Sequence, residues 1–306
     1  MGKKAGGARR PVSSRRFDHF LAIDWSGAAG GRQKGIALAI CDAAGGPPVL
    51  VDRGKAWSRA EVLEILRDDL PPNTLVGMDL GIGLPFADCG AYFPGWPDSP
   101  RDAKSLWAMI DRLCIENANM EAAGVVDHPG LSRYFRRHGA REGDRFHGDQ
   151  ASDKRGRFRV TEHAQQAMGC KPTSNFNLVG AAQVGKSSLT GMRVLHRLNG
   201  AVPVWPIDLL PNNGSVIVEI YTGLAALEAG RTTNTAKIRD YAGLNTALEL
   251  LNSPSIVKTG SLDDHSSDAL LTAAWLRKVA DEPARWNPKA LTPQIAATEG
   301  WTFGAF

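Results

Sequence analysis

The sequence predicts an α/β protein built on one mixed sheet of five strands, three antiparallel and then parallel, flanked by helices. Three observations predict it. Three apolar runs follow one another near the N-terminus with connections too short for a crossover, which favours an antiparallel meander. A capped amphipathic helix then separates them from a fourth apolar run. After a long irregular middle, a fifth run is followed by helical stretches only.

Order is expected to start at Phe17, because residues 1–16 are rich in Gly, Ser, Lys and Arg and have almost nothing to bury. Phe20–Asp24 reads as a buried strand ending in an acid. The small-residue turn Trp25–Gly31 leads to a second strand over Gly35–Cys41, and Pro48–Asp52 makes the third. Ser58 opens a helix through a capping box with Glu61. Val62, Leu63, Ile65, Leu66 and Leu70 recur at helical spacing until Pro71-Pro72 stops them. Thr74–Asp79 is a fourth short strand, again closed by an acid. Three antiparallel strands, a helix and a further strand form the opening half of the ribonuclease H-like order.

The stretch from about residue 86 to 213 reads as a helical and loop insertion within a single domain spanning 17–306. It holds a helix from Ala103 to about Met120 and another from Ser187 to Leu198. Ser215–Tyr221 is a strand with Glu219 inside it. Helices are expected over Leu224–Ala229, over Leu244–Leu251 and from Asp263 through Trp275.

Charge is unevenly spread. The formal net charge is +4, yet residues 1–16 alone carry +6 and residues 131–160 carry +5, which leaves a body of −7. A mildly acidic body with two basic segments suits a protein that holds cations in one place and phosphates in another. In segment 131–160, Arg133, Arg136, Arg137, Arg141, Arg145, Lys154, Arg155, Arg157 and Arg159 interleave with Tyr134, Phe135, Phe146 and Phe158. Cations give phosphate affinity and aromatics stack on unpaired bases, so nucleic acid is the expected partner of this segment and of the tail. The alternative is a solvated loop whose aromatics anchor it to the core. No apolar run approaches the roughly 20 residues of a membrane span. Cys41, Cys89, Cys114 and Cys170 form no CxxC pair, which fits reduced thiols in a cytoplasm.

The chemistry is expected from acids at strand ends and helix starts: Asp24, Asp79, Glu219, and the group Asp264, His265 and Asp268. Open α/β sheets bring such positions to one rim. On the last helix Asp264 and Asp268 are four apart, and His265 and Asp268 three apart, so each pair shares a face. Two like charges ~4 Å apart cost about 1 kcal/mol in water and about 4 at an effective dielectric of 20. Gathered carboxylates therefore hold either protons or a metal. All-oxygen donors suit Mg²⁺ or Mn²⁺, and two such ions would activate a water and stabilise a leaving oxygen in phosphoryl displacement. Each acid also has a plainer reading: a first-turn acid for Asp264, a cap on the following glycine loop for Asp79, an arginine partner for Glu219.

Leu21–Gly27, Val76–Pro85, Val216–Tyr221, Asp264–Leu270 and the closing Glu299–Gly304 resemble a bacterial domain-of-unknown-function family, family 429. Its members are predicted nucleases of ribonuclease H-like fold. The likeness runs in order from Phe17 to the end. Asp268-Ala-Leu preceded by His265 is also similar to the last-helix motif of Holliday-junction resolvases. The resemblance implies a site of Asp24, Asp79 and Asp268, with His265 or Asp264 adjoining and Glu219 near, and a terminal strand over Glu299–Gly304.

Two other motifs compete. Gly180–Ser187 satisfies the GxxxxGK[ST] phosphate-loop pattern through Gly180, Gly185, Lys186 and Ser187, with Phe176–Val179 as the strand before it. Against it, Val202–Asp208, where a metal-holding acid should end a central strand, contains two prolines. The Asp24–Gly27 turn is similar to the first phosphate loop of actin- and hexokinase-like ATPases. A metal-dependent nuclease is thus the leading expectation. A nucleotide-binding ATPase or kinase-like protein, and a non-catalytic nucleic-acid-binding module, are the alternatives.

Overall fold

The computed structural model describes residues 16–148, 155–180, 183–232 and 237–306. The basic tail, apart from Arg16, lies outside the described residues, as does Lys154 of the basic segment.

The chain opens with strands β1 (His19–Asp24), β2 (Ala37–Asp42) and β3 (Gly45–Leu50), then helix α1 (Arg59–Glu64) and strand β4 (Thr74–Met78). Helices α2 (Ala103–Leu113) and α3 (Ala123–Val126) follow, then a two-stranded ribbon of β5 (Arg136–Arg137) and β6 (Arg141–Glu142). Helices α4 (Val160–Ala167) and α5 (Val184–Leu198) lead to strands β7 (Val204–Trp205) and β8 (Val216–Glu219). The chain closes with α6 (Thr222–Glu228), α7 (Tyr241–Leu250), α8 (Asp264–Val279), α9 (Pro283–Trp286) and α10 (Pro293–Thr298).

The sheet is mixed, in the order β3-β2-β1-β4-β8-β7. The first three strands are antiparallel, and β1–β4, β4–β8 and β8–β7 are parallel pairs. Six strands form it, one more than the five expected. The extra one is Val204–Trp205, which sits at the sheet's edge between Pro203 and Pro206. An edge strand tolerates the missing amide donors that a central strand does not.

Strand residues alternate between two cores, one on each face of the sheet. Leu21, Ile23, Val76, Met78 and Ile217 join the core built with α1, α2 and α5. Phe20, Ala22, Leu75, Val216 and Val218 join the opposite core, built around α8. Helix α8 lies across β1 and β2, so close that a Cβ on Gly77 of β4 would come within 2.9 Å of Leu276 Cδ1 and 2.7 Å of Ile220 Cγ2. Glycine at 77 lets the helix approach.

Other expectations shift by physical detail. The Ser58–Glu61 capping box forms as expected, and α1 continues through a wider π turn over Ile65–Asp69. The helix expected to reach Met120 stops at Leu113. There the chain folds back, Asn117 Oδ1 accepts the Gly124 amide at 2.7 Å, and Gly124 sits so close to the helix end that a Cβ would lie 2.0 Å from the Leu113 carbonyl oxygen. The strand expected over Glu299–Gly304 is reduced to one bridge of Thr302 with Glu219, with the Phe303 amide donating to the Glu219 carbonyl at 2.8 Å. The middle of the chain is no appendage: α2 and α5 pack on each other and supply much of the core on their face. Among the described residues no helix is long and apolar enough to cross a membrane.

Candidate active site

Register places the acids. In the β1–β4 ladder Ile23 faces Met78, and in the β4–β8 ladder Met78 faces Glu219. Asp24, Asp79 and Glu219 therefore finish three neighbouring parallel strands at one edge. The Asp79 amide ties the first two strands by donating to the Ile23 carbonyl at 2.9 Å.

Alternation then sorts them. Asp24 follows Phe20 and Ala22 onto the α8 face, and Asp79 follows Leu75 and Gly77 onto the same face. Glu219 follows Ile217 onto the other. The first turns of α8 lie over the α8 face and bring His265 and Asp268 to the two strand acids. His265 Nδ1 is 2.7 Å from Asp24 Oδ2.

These four groups perturb one another. Burial raises the Asp24 carboxyl above the ordinary carboxylate range, opposed by its hydrogen bond to His265. Burial raises Asp79 well above that range, and the charges of Asp24, Asp268 and Glu219 push it further, while the Thr222 amide opposes. Asp268 is pushed up to about 7 by burial and then by Asp24. His265 moves upward because its ring is hydrogen-bonded to Asp24. Three carboxyl groups thus share one low-dielectric place with a single imidazole in direct contact.

Two expected members stand apart. Glu219 is fully engaged: Arg159 Nη2 and Nη1 reach its two oxygens at 2.6 and 2.8 Å, the Ile82 amide donates at 2.8 Å, and the Thr302 hydroxyl donates too. Arg159 is 1% exposed and also pairs with Glu162 at 2.6 Å. The expectation that Glu219 joins the ligand set is therefore corrected; its plainer reading, an arginine partner, is the one seen. Asp264 is held by Lys237 at 2.6 Å and Arg239 at 2.8 Å. Its hydrogen bond to Lys237 lowers its pKa, the opposite of the cluster's behaviour. Asp263 is the helix cap, accepting the Ser266 amide at 2.9 Å.

A cleft of about 380 Å³ opens beside the acids, with Asp79, His265, Trp25, Ser26 and Tyr221 in its wall. Asp268 lies in the wall of a smaller cavity of about 130 Å³ that it shares with Lys237 and Asp264. The loop after Asp24 is fixed from behind by Arg59, a buried guanidinium that donates to the carbonyls of Ser26, Ala28 and Asn119 at 2.8, 2.6 and 2.8 Å. On its other side Gly27 meets the start of α5 backbone to backbone, where a Cβ would stand 2.3 Å from the Lys186 carbonyl carbon. Sequence reasoning missed Arg59 and placed Arg159 among phosphate-binding cations. The signal at Arg59 is its position directly after an N-cap, on the first turn of a helix that faces the loop.

The Gly180–Ser187 stretch lacks the setting of a phosphate loop among the described residues. Phe176–Val179 does not enter the six-stranded sheet; its Asn177 bridges Arg136 instead. The Gly185 amide is used by the Asn177 carbonyl at 3.0 Å and the Lys186 amide by the Gln183 carbonyl at 3.1 Å.

The basic segment turns its aromatics inward, while its arginines divide between buried Arg157 and Arg159 and exposed Arg133, Arg141 and Arg155. Tyr134, Phe135, Phe146 and Phe158 are all buried. Arg157 binds Asp88 bidentately at 2.7 and 2.6 Å, Arg133 pairs with Asp144, and Arg145 donates to the Pro94 carbonyl at 2.6 Å. The aromatics are anchors, and stacking on bases has no exposed ring there to use.

Among the described residues no three His, Cys, Asp or Glu side chains stand as a ready-made metal cage. The donors themselves are nonetheless of the type that Mg²⁺ and Mn²⁺ take: three carboxylates whose mutual repulsion a divalent cation would relieve. Comparison of the chain with family models, with curated proteins and with solved structures finds no match.

Proposed function

We propose that the chain is a Mg²⁺- or Mn²⁺-dependent phosphodiester hydrolase of ribonuclease H-like architecture that acts on nucleic acid. The observation that carries this reading is the convergence of Asp24, Asp79 and Asp268 on one face at the carboxyl ends of β1 and β4, where Asp24 raises the pKa of both other acids and Asp268 raises that of Asp79. The strand order, with three antiparallel strands followed by parallel ones and a helix between the third and fourth, agrees with that architecture.

Asp24, Asp79 and Asp268 would hold the metal, which supplies an activated water and charge stabilisation at the phosphoryl group. The remaining steps belong to the chain. Asp24 orients His265 through Nδ1, which leaves Nε2 of a half-exposed ring at the cleft as the atom that moves a proton. From that position Nε2 would donate a proton to the leaving oxygen. Arg59 and the Gly27 contact keep the cleft wall still.

Hydrolysis of bis(p-nitrophenyl) phosphate in Mn²⁺ tests this. Asp79→Asn should lower the rate by about 10³-fold, roughly 4 kcal/mol of barrier. A rate that does not depend on metal, or that Asp79→Asn leaves intact, refutes the proposal.

A further inference from the structure

The cleft beside the acids is built for something small. Its volume of about 380 Å³ lies near the lower end of the roughly 300–1,000 Å³ seen for small-ligand sites. Its charged walls are Asp79, Glu162, Glu219, Arg159 and His265, so acids outnumber cations, and the one arginine is locked to Glu162 and Glu219. Duplexes are gripped through phosphates by free lysines and arginines, and among the described residues this wall offers none. The rest of the wall is neutral. Ser26, Gln165, Thr173, Gln183 and Ser187 supply hydrogen-bonding groups of both kinds, and Trp25 and Tyr221 add aromatic surface. Buried Asn175 belongs to the same wall; its Nδ2 donates to the Gly83 carbonyl at 3.0 Å, and its Oδ1 has no hydrogen-bond partner among the described residues.

We infer that the cleft takes one unpaired nucleotide, its base against the neutral wall and its phosphate toward Asp79. The substrate class is then a strand end or a small nucleotide ester, not an internal position of a duplex. This rests on the hydrolase reading above. In the step itself, the oxygen of water bonds to phosphorus, the ester P–O bond breaks, and the leaving oxygen takes a proton.

The test uses the whole chain in Mn²⁺ with three probes: bis(p-nitrophenyl) phosphate, the p-nitrophenyl ester of thymidine 5′-phosphate, and a covalently closed supercoiled plasmid. The nucleotide ester should show a KM about tenfold below that of the simple diester, reflecting binding by the base. The plasmid should stay unnicked. Gln183→Trp, at an exposed wall position, should erase the nucleotide ester's roughly tenfold KM advantage over the simple diester. Thr173→Trp serves as a second obstruction should the first variant misfold. Nicking of the plasmid as readily as the nucleotide ester is cleaved overturns the inference, as does an unchanged KM in both tryptophan variants. If the simple diester is not hydrolysed at all, the hydrolase reading fails separately. Titration with thymidine alone then decides the cleft: saturable binding lost in Gln183→Trp supports a base site, and no binding overturns it.

Discussion

Two ionic clusters meet at the same end of the sheet, one from each face, and they are built on opposite principles. On one face Glu219, Glu162 and Arg159 form a buried network in which both Glu219 oxygens and the guanidinium are paired at 2.6–3.2 Å. On the other face Asp24, Asp79 and Asp268 crowd together with one imidazole in contact. The first is satisfied and holds the ends of β8, α4 and the C-terminal segment together. The second is frustrated, and repulsion of this kind is concentrated at functional sites.

The widest separation is expected from paired substitutions. Asp79→Asn should lower metal-dependent hydrolysis by the same roughly 10³-fold yet raise the thermal midpoint of the metal-free protein by about 2 °C or more at neutral pH, because it removes a buried carboxyl that the fold must keep protonated where the unfolded chain ionises it. Glu219→Gln should do the reverse in kind, costing about 1–3 kcal/mol of stability in urea titrations by removing one of the two carboxylates that neutralise buried Arg159. If Glu219→Gln costs under about 1 kcal/mol, the two clusters are not different in the way described.

The pH dependence sharpens the contrast. The Asp268 carboxyl moves from an ordinary 3.8 up to about 7 in the folded chain. A raised carboxyl contributes stability that is complete below its unfolded pKa and lost as pH climbs through the folded one. Metal-free protein should therefore lose stability between about pH 4 and pH 7, and Asp268→Asn should flatten that slope. Mn²⁺ should restore stability most at the upper end of this window, where the carboxylates are bare. A metal effect that is equal at both ends breaks the argument. The smallest effect belongs to Asp264→Ala, whose pairs with Lys237 and Arg239 lie toward solvent. It should change stability by under about 1 kcal/mol and hydrolysis by under about threefold.

Particular residues show what was legible. Asp24 and Asp79 each close an apolar run, and the helical spacing of His265 and Asp268 is plain, so their meeting could be read directly. Glu219 could not be assigned a face, since Val216, Ile217 and Val218 are all apolar and a strand buried on both sides carries no alternation. Only its packing shows that Ile217 and Glu219 look away from α8. Arg157 and Arg159 misled for a related reason: their chain neighbours are basic and glycine-rich, while Asp88 and Glu219, which pair with them, stand 69 and 60 residues away, and only Glu162, the second partner of Arg159, is near in sequence. The two-residue strand Val204–Trp205 is too short for any periodicity to register.

One feature constrains how this site could be rebuilt. His265 and Asp268 ride on the same rigid rod, three residues and about 4.5 Å of axial rise apart, and that rod is anchored by buried Trp275 and Leu276 further along. Deleting one residue between Asp268 and Trp275 would swing both groups by roughly 100° about the helix axis. They would leave Asp24 together while the sheet stayed whole. The helix thus acts as a gauge, so that donors are added or withdrawn as a set and intermediate spacings are closed to gradual adjustment.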